Sequence, residues 1–276
     1  MKRKGNRFVG GAVLATVVLL IAAVAAAGPV VVYENVFDGA NLGHNPGIGG
    51  GMDRALGAGP VWEVDTDTNQ LLGNARSGTN DRGNVFTESA WDLSGGFRLE
   101  VVFSIGNISA GQSANRVNFG VAATDHGRED NYLAQYLCGG RNTYGIGLNM
   151  TTEFGPQGLN HVIDDKAGGD DLFNLSNDQT ILGGGATQTW VLEVDGTGTT
   201  WSYSLDGAEA TTGTFAAAGA DAFDFTREYQ IFGYVQRAEN DIKIDSVKLT
   251  VIPEPTTTGV MALGALALLI RRRLRR

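Results

Sequence analysis

Alternation of apolar and polar residues with a period of two constrains this chain more than any other feature. In Phe97-Arg98-Leu99-Glu100-Val101-Val102-Phe103-Ser104-Ile105 every odd position is apolar and most even ones are polar or charged. Successive side chains of a strand point to opposite faces, so the pattern predicts a strand with one buried side. Val117, Phe119 and Val121 repeat it, as do Tyr144, Ile146 and Leu148. Trp190, Leu192 and Val194 form a further inward row, and Trp201, Tyr203 and Leu205 the next. Tyr229 to Val235 is apolar on both faces, as expected of a central strand. In the last strand Ile242 and Ile244 keep one phase and Val247, Leu249 and Val251 the other, and the slip at Asp245-Ser246 predicts a β-bulge. No long helical period occurs in residues 28–252, and Ala216 to Ala222 predicts at most one short helical turn.

The turns carry their own signal. The chain holds 40 glycines in 276 residues, about twice the average share. Asp195-Gly196-Thr197-Gly198 joins two of the strands, and its glycines permit the positive φ of a tight hairpin. Asp206-Gly207 marks a further turn. Many short strands separated by such turns predict an all-β sandwich or jelly roll over residues 28–252.

Charge narrows the partners. The formal net charge is −9, but nine of the 21 Lys and Arg lie in the two termini. Residues 28–255 therefore hold 12 cationic side chains against all 30 carboxylates, a balance of −18. So acidic a body repels phosphate backbones, which argues against nucleic acid as a partner. Cys138 is the single cysteine, so no intrachain disulfide forms, and beside Tyr136 it reads as a small packing residue.

Both ends read as membrane-directed. Lys2, Arg3, Lys4 and Arg7 precede an uncharged run from Phe8 to Ala27 that closes Ala25-Ala26-Ala27. A basic start, an apolar middle and small residues before the cut describe a secretory signal peptide, residues 1–27, handled by the Sec translocon. At the other end Pro253-Glu254-Pro255 is followed by three threonines, an apolar run from Gly259 to Ile270, and five arginines within residues 271–276. Twelve to fifteen helical residues reach only about 18–22 Å, short of the ~30 Å hydrocarbon core. Such a span suits transient insertion, with the arginines on the cytoplasmic side.

The Pro-Glu-Pro triplet, short apolar helix and terminal arginines of residues 253–276 resemble the PEP-CTERM sorting signal of Gram-negative bacteria. The resemblance implies processing near Pro253, Glu254 and Pro255 by an exosortase, a membrane transpeptidase-like protease. It also implies a cell-surface or extracellular-matrix destination in an organism that makes extracellular polysaccharide. Within residues 28–252, Asp92-Leu93-Ser94-Gly95-Gly96-Phe97-Arg98-Leu99-Glu100 resembles the opening turn and strand of concanavalin A-like, laminin G-type sandwiches. Thr189-Trp190-Val191-Leu192-Glu193-Val194-Asp195-Gly196 with Trp201 to Gly207 is similar to their tryptophan hairpin, and Ile244-Asp245-Ser246-Val247-Lys248-Leu249 to the closing strand of carbohydrate-binding jelly rolls. The implied fold is a concanavalin A-like sandwich of two antiparallel sheets, flanked by a signal helix and a C-terminal transmembrane helix.

Four groups of residues are candidates for chemistry. Glycanases of this fold set carboxylates on alternate strand residues, and Trp62-Glu63-Val64-Asp65-Thr66-Asp67 resembles half of that pattern. Glu63 and Asp65 are the candidate pair, although Thr68 stands where the second glutamate belongs and a polar edge strand explains the segment equally. The acidic run Asp164-Asp165-Lys166-Ala167-Gly168-Gly169-Asp170-Asp171 offers oxygen ligands to calcium but lacks the alternating order of calcium loops. The resemblance implies a second calcium position, with Glu34 on the first strand facing Asp241 or Asp245 on the last. A polar loop carrying Asp125, His126, Arg128 and Tyr132, with Arg141 and Asn142 after the next strand, is the candidate glycan contact. The expected function is a non-enzymatic surface or matrix protein that binds extracellular polysaccharide. The alternatives are a secreted glycoside hydrolase or lyase of the same fold and a purely structural biofilm component.

Overall fold

The computed structural model describes residues 28–38, 52–55, 62–73, 82–105, 116–124, 144–151, 158–163, 171–176, 185–236 and 242–252. These residues form sixteen strands and one 3₁₀ turn. In chain order the first eight are β1 (Val30–Asn35), β2 (Met52–Ala55), β3 (Trp62–Asp65), β4 (Gln70–Gly73), β5 (Arg82–Thr87), β6 (Trp91–Asp92), β7 (Gly95–Ile105) and β8 (Arg116–Ala123). They are followed by β9 (Tyr144–Thr151), β10 (Gly158–Ile163), β11 (Asp171–Asn174) and β12 (Thr187–Gly196). The last four are β13 (Thr200–Leu205), β14 (Thr211–Thr214), β15 (Glu228–Gln236) and β16 (Ile242–Val251). The predicted signal and transmembrane helices lie outside the described residues. Among the described residues no helix is long and apolar enough to cross a membrane.

The strands divide between two sheets. The first runs β14-β13-β12-β7-β16-β4-β3, with β1 also paired to β16, and the second runs β11-β10-β9-β8-β15-β5-β2, with β6 paired to β15. Neighbouring strands are antiparallel in both, as period-2 patterning with one buried face leads one to expect. Register lines the predicted apolar positions up across the first sheet: Tyr203 opposes Leu192, Leu192 opposes Leu99, Leu99 opposes Leu249, and Leu249 opposes Tyr33. All five are buried. In the second sheet Ile146, Val121 and Ile231 form the corresponding row, and β15 sits between β8 and β5 as its two apolar faces require.

The inner faces meet through aromatic contacts, Phe103 with Phe119 at 5.1 Å and Tyr33 with Trp91 at 5.5 Å between ring centroids. Trp62 fills the space over Gly73, where a Cβ would stand 2.8 Å from the indole, so only glycine fits opposite it. The bulge expected near Asp245 is present: the register of β16 against β7 shifts between Ile244 and Ser246. A second irregularity, between Val31 and Tyr33 of β1, had no sequence signal. The alanine-rich stretch forms a single 3₁₀ turn at Ala216–Ala218.

One end of the sandwich is closed by the connection from β14 to β15. Phe223 packs there against Phe97, Tyr144, Phe215, Phe225 and Tyr229, with centroid separations from 4.8 to 6.3 Å. Its N–H donates to the Gly198 carbonyl, which ties the plug to the β12–β13 turn. The Tyr144 hydroxyl accepts the Asp224 N–H at 2.6 Å, and Arg227 lies 4.7 Å over the Tyr144 ring. Burial pushes the Tyr144 phenol up to about 12.

Candidate functional site

The outward face of the first sheet carries a groove of about 550 Å³, within the range of small-ligand sites. Its floor follows from register. Thr212 opposes Ser202, Ser202 opposes Glu193, and Glu193 opposes Arg98, so one polar row crosses β14, β13, β12 and β7. Beside it Thr214 opposes Thr200, and Asp195 opposes the bare backbone of Gly96. Ile252, just past β16, supplies an apolar wall. The strand period puts Val194 and Trp201 into the core beneath, so the same alternation that builds the core presents hydroxyls and carboxylates outward.

Electrostatics fix two of these groups. Arg98 donates to Glu193 Oε1 at 2.6 Å and to Glu100 Oε2 at 3.4 Å, an exposed bridge across three neighbouring positions. Asp195 accepts the N–H groups of Thr199 and Thr200 at 2.9 and 2.8 Å and the Thr197 hydroxyl at 2.5 Å. Burial raises the Asp195 pKa, but these hydrogen bonds together outweigh it and hold the carboxyl below its usual range. Asp195 is thus committed to the turn. The hydroxyls of Ser202, Thr212 and Thr214 and the outer oxygen of Glu193 are the groups a polar ligand would meet. This groove was not singled out from sequence. The alternating hydroxyl residues Thr200, Ser202, Thr212 and Thr214 were its only signal, and such a pattern also fits any solvated sheet face.

The predicted carboxylate pair falls at the edge of the same sheet. Glu63 opposes Leu72 and Asp65 opposes Gln70 in β3, the last strand in the order. Asp65 accepts the Thr68 hydroxyl at 2.7 Å and the Asp67 N–H at 3.0 Å, and those two bonds, Thr68 first, lower its pKa. The lowered pKa keeps Asp65 ionised, which suits a nucleophilic carboxylate and not a general acid.

The proposed calcium donors have other company. Glu34 opposes Lys248, with 3.9 Å between Oε1 and Nζ, and Asp245 accepts the Gln70 amide at 2.5 Å. An ammonium beside Glu34 is a poor neighbour for a bound cation. Asp241 lies outside the described residues, and among the described residues no group of three or more His, Cys, Asp or Glu is placed to hold a metal. The acidic run from Asp164 to Asp170 also lies outside the described residues, with Asp171 at the start of β11. Asp125, His126, Arg128, Tyr132, Arg141, Asn142 and the Pro253-Glu254-Pro255 triplet lie outside them too. Thr124, just past the end of β8, and Tyr144, at the start of β9, are the described residues on either side of residues 125–143.

No protein-family model matches the chain, and no curated protein sequence matches it. Solved structures do. The metal-free carbohydrate recognition domain of Emp46p superposes with a TM-score of 0.53 at 9% identity, covering 72% of this chain and 86% of that one. An endo-1,3-beta-glucanase from Streptomyces sioyaensis gives 0.52 at 16%, covering 82% and 98%. Peanut lectin gives 0.50 at 13%, covering 81% and 97%. At these identities the likeness speaks for architecture alone. The chain shares with these structures a fold of two packed antiparallel sheets.

Proposed function

We propose that this chain is an exported surface or matrix protein, processed at its C-terminus by an exosortase, whose sandwich binds extracellular glycan without cleaving it. The observation that carries the glycan reading is the likeness to carbohydrate-recognition domains over most of the chain. The hydroxyl-lined groove on the first sheet supplies a place where neutral sugar hydroxyls meet matching donors and acceptors. The occupation of Asp65 by its own turn favours binding over turnover. The sorting reading rests on the order and spacing of residues 253–276.

The full chain, expressed in an exporting Gram-negative host, tests both halves. Mass spectrometry of the mature protein is expected to find residues 1–27 and the arginine cluster removed; a mature form that retains Arg271 to Arg276 rejects processing. On a polysaccharide panel, with and without calcium, binding is expected with no release of reducing ends. No binding under either condition leaves the structural biofilm reading.

A glycanase is the second reading, favoured by the likeness to an endo-1,3-beta-glucanase along 98% of that enzyme. Turnover that disappears in Glu63→Gln and Asp65→Asn would establish it.

A further inference from the structure

A line of alternating charge crosses the outward face of the first sheet. Glu34 of β1 opposes Lys248 of β16, with 3.9 Å between Oε1 and Nζ, and Lys248 opposes Glu100 of β7 on its other side. Glu100 Oε2 accepts from Arg98 at 3.4 Å. Arg98 in turn opposes Glu193 of β12 and donates to its Oε1 at 2.6 Å. Carboxylate and cation thus take turns across four strands, with side chains 34 to 45% exposed. Opposite charges facing each other across strands hold such a line together.

The line ends on a carboxylate. Past Glu193 the register continues to Ser202 of β13 and Thr212 of β14, both uncharged, and all three line the groove. Three carboxylates against two cations leave one negative charge in excess, and Arg98 is already shared between Glu100 and Glu193. Asp195, two residues further along β12, adds a second carboxylate to the lining, although its oxygens serve the β12–β13 turn. Among the described residues that line the groove, none is a lysine, arginine or histidine. An anion entering here meets two carboxylates and no cation of the lining. A cation meets Glu193 at the place where the alternation calls for its next positive charge.

The rest of the lining restricts what carries that cation. The hydroxyls of Thr200, Ser202, Thr212 and Thr214 both donate and accept, and Ile252 offers an apolar wall. Hydroxyls suit hydroxyls, a carboxylate suits an ammonium, and an aliphatic side chain suits the C–H edge of a sugar ring. A lysine-rich peptide would supply the ammonium but no hydroxyls for β13 and β14.

We propose that the groove on the first sheet recognises amino sugars whose amines are unacylated, the ammonium pairing with Glu193 and the ring hydroxyls bonding to Ser202 and Thr212. The proposal rests on the reading of this groove as the glycan site and adds to it the charge class of the sugar. A hydrogen bond assisted by charge is worth about ten-fold in affinity, so the amine sets the selectivity. Polymers that carry uronate or phosphate are repelled by the same carboxylates.

The full chain, purified from the exporting host, is titrated calorimetrically with glucosamine oligomers, with their fully N-acetylated counterparts and with oligolysine, at a mildly acidic pH that keeps the amines protonated. The glucosamine oligomer is expected to bind about ten-fold more tightly than the acetylated one. Glu193→Gln should remove that advantage, and Ser202→Val should weaken binding several-fold. Glu88→Gln removes an exposed carboxylate just past β5 in the second sheet and should leave affinity unchanged. Equal affinity for the two oligomers overturns the amine assignment and leaves the glycan reading standing; no binding to any member of a polysaccharide panel overturns both. Oligolysine bound as tightly as the glucosamine oligomer, or equal losses in Glu193→Gln and Glu88→Gln, shows diffuse attraction to an acidic body and also overturns the proposal. The comparison of the two oligomers on the parent chain decides the matter even where a variant fails to fold.

Discussion

Gln70 and Asp245 are 175 positions apart in the chain, yet the Gln70 amide donates to Asp245 Oδ1 at 2.5 Å. Asp245 is the residue at which β16 shifts its register against β7, and Gln70 is the first residue of β4, the strand on the other side of β16. Continuing the β16–β4 register by one residue sets Asp245 opposite Gln70, so the contact is a cross-strand pair formed beside the bulge.

Breaking this contact is expected to loosen the β4–β16 junction locally. Gln70→Ala and Asp245→Ala should each cost about 1 kcal/mol in urea unfolding, with a double-mutant coupling of similar size. Additive single effects would show that the bulge stands without the bond.

Gly213 opposes Trp201, and a Cβ there would enter the space of the buried indole. Gly213→Ala is expected to destabilise the chain by about 1–3 kcal/mol, since the added Cβ would displace the buried Trp201 ring from its stack on Tyr203. Tryptophan emission should shift in the folded variant. An unchanged denaturation midpoint would mean that β14 moves away instead.

Asp195 links the β12–β13 turn to pH. Its folded pKa is depressed, so its contribution is present above the unfolded value of about 4 and is lost as pH falls through the folded value. Thermal unfolding followed from pH 6 down to pH 2 should show a loss of stability below about pH 4 that is smaller in Asp195→Ala. At pH 6 that variant should be weaker than the parent by about 1–2 kcal/mol, from the lost hydrogen bonds. Parallel pH curves would reject the assignment.

Phe223 closes the end of the sandwich, and Phe223→Ala is expected to cost about 3–5 kcal/mol with loss of near-ultraviolet dichroism from Tyr144 and Tyr229. The same cluster sets an alkaline limit. The Tyr144 pKa is raised from 10.0 to about 12, so the stability it contributes is full below pH 10.0 and lost as pH rises towards 12. Spectrophotometric titration of the phenols should show a late-ionising fraction that shrinks in Phe223→Ala, while Tyr33, also raised by burial, stays late.

The strands were legible because their buried residues recur at a spacing of two and each run is longer than the turn signals around it. The row from Tyr203 to Tyr33 is made of residues whose inward direction the sequence already assigned, and even the bulge at Asp245 was visible as a change of phase. The groove was not legible. Thr212, Ser202 and Glu193 become neighbours only through cross-strand register, and register between distant segments leaves no mark in the local pattern. Asp65 shows the opposite case. Its alternation with Glu63 places both on one face of β3, and the structure adds local hydrogen bonds from Thr68 and the Asp67 amide that the alternation does not reveal.

By itself the sequence determined the all-β fold class and the inward face of the main strands, because these follow from hydrophobic periodicity. Tertiary structure decided which strands are neighbours and that the hydroxyls of β13 and β14 share a groove with Glu193. The reason is physical: burial of one strand face against water is a local property of the chain, whereas the order of strands in a sheet is set by packing between residues as distant as Tyr33 and Leu249.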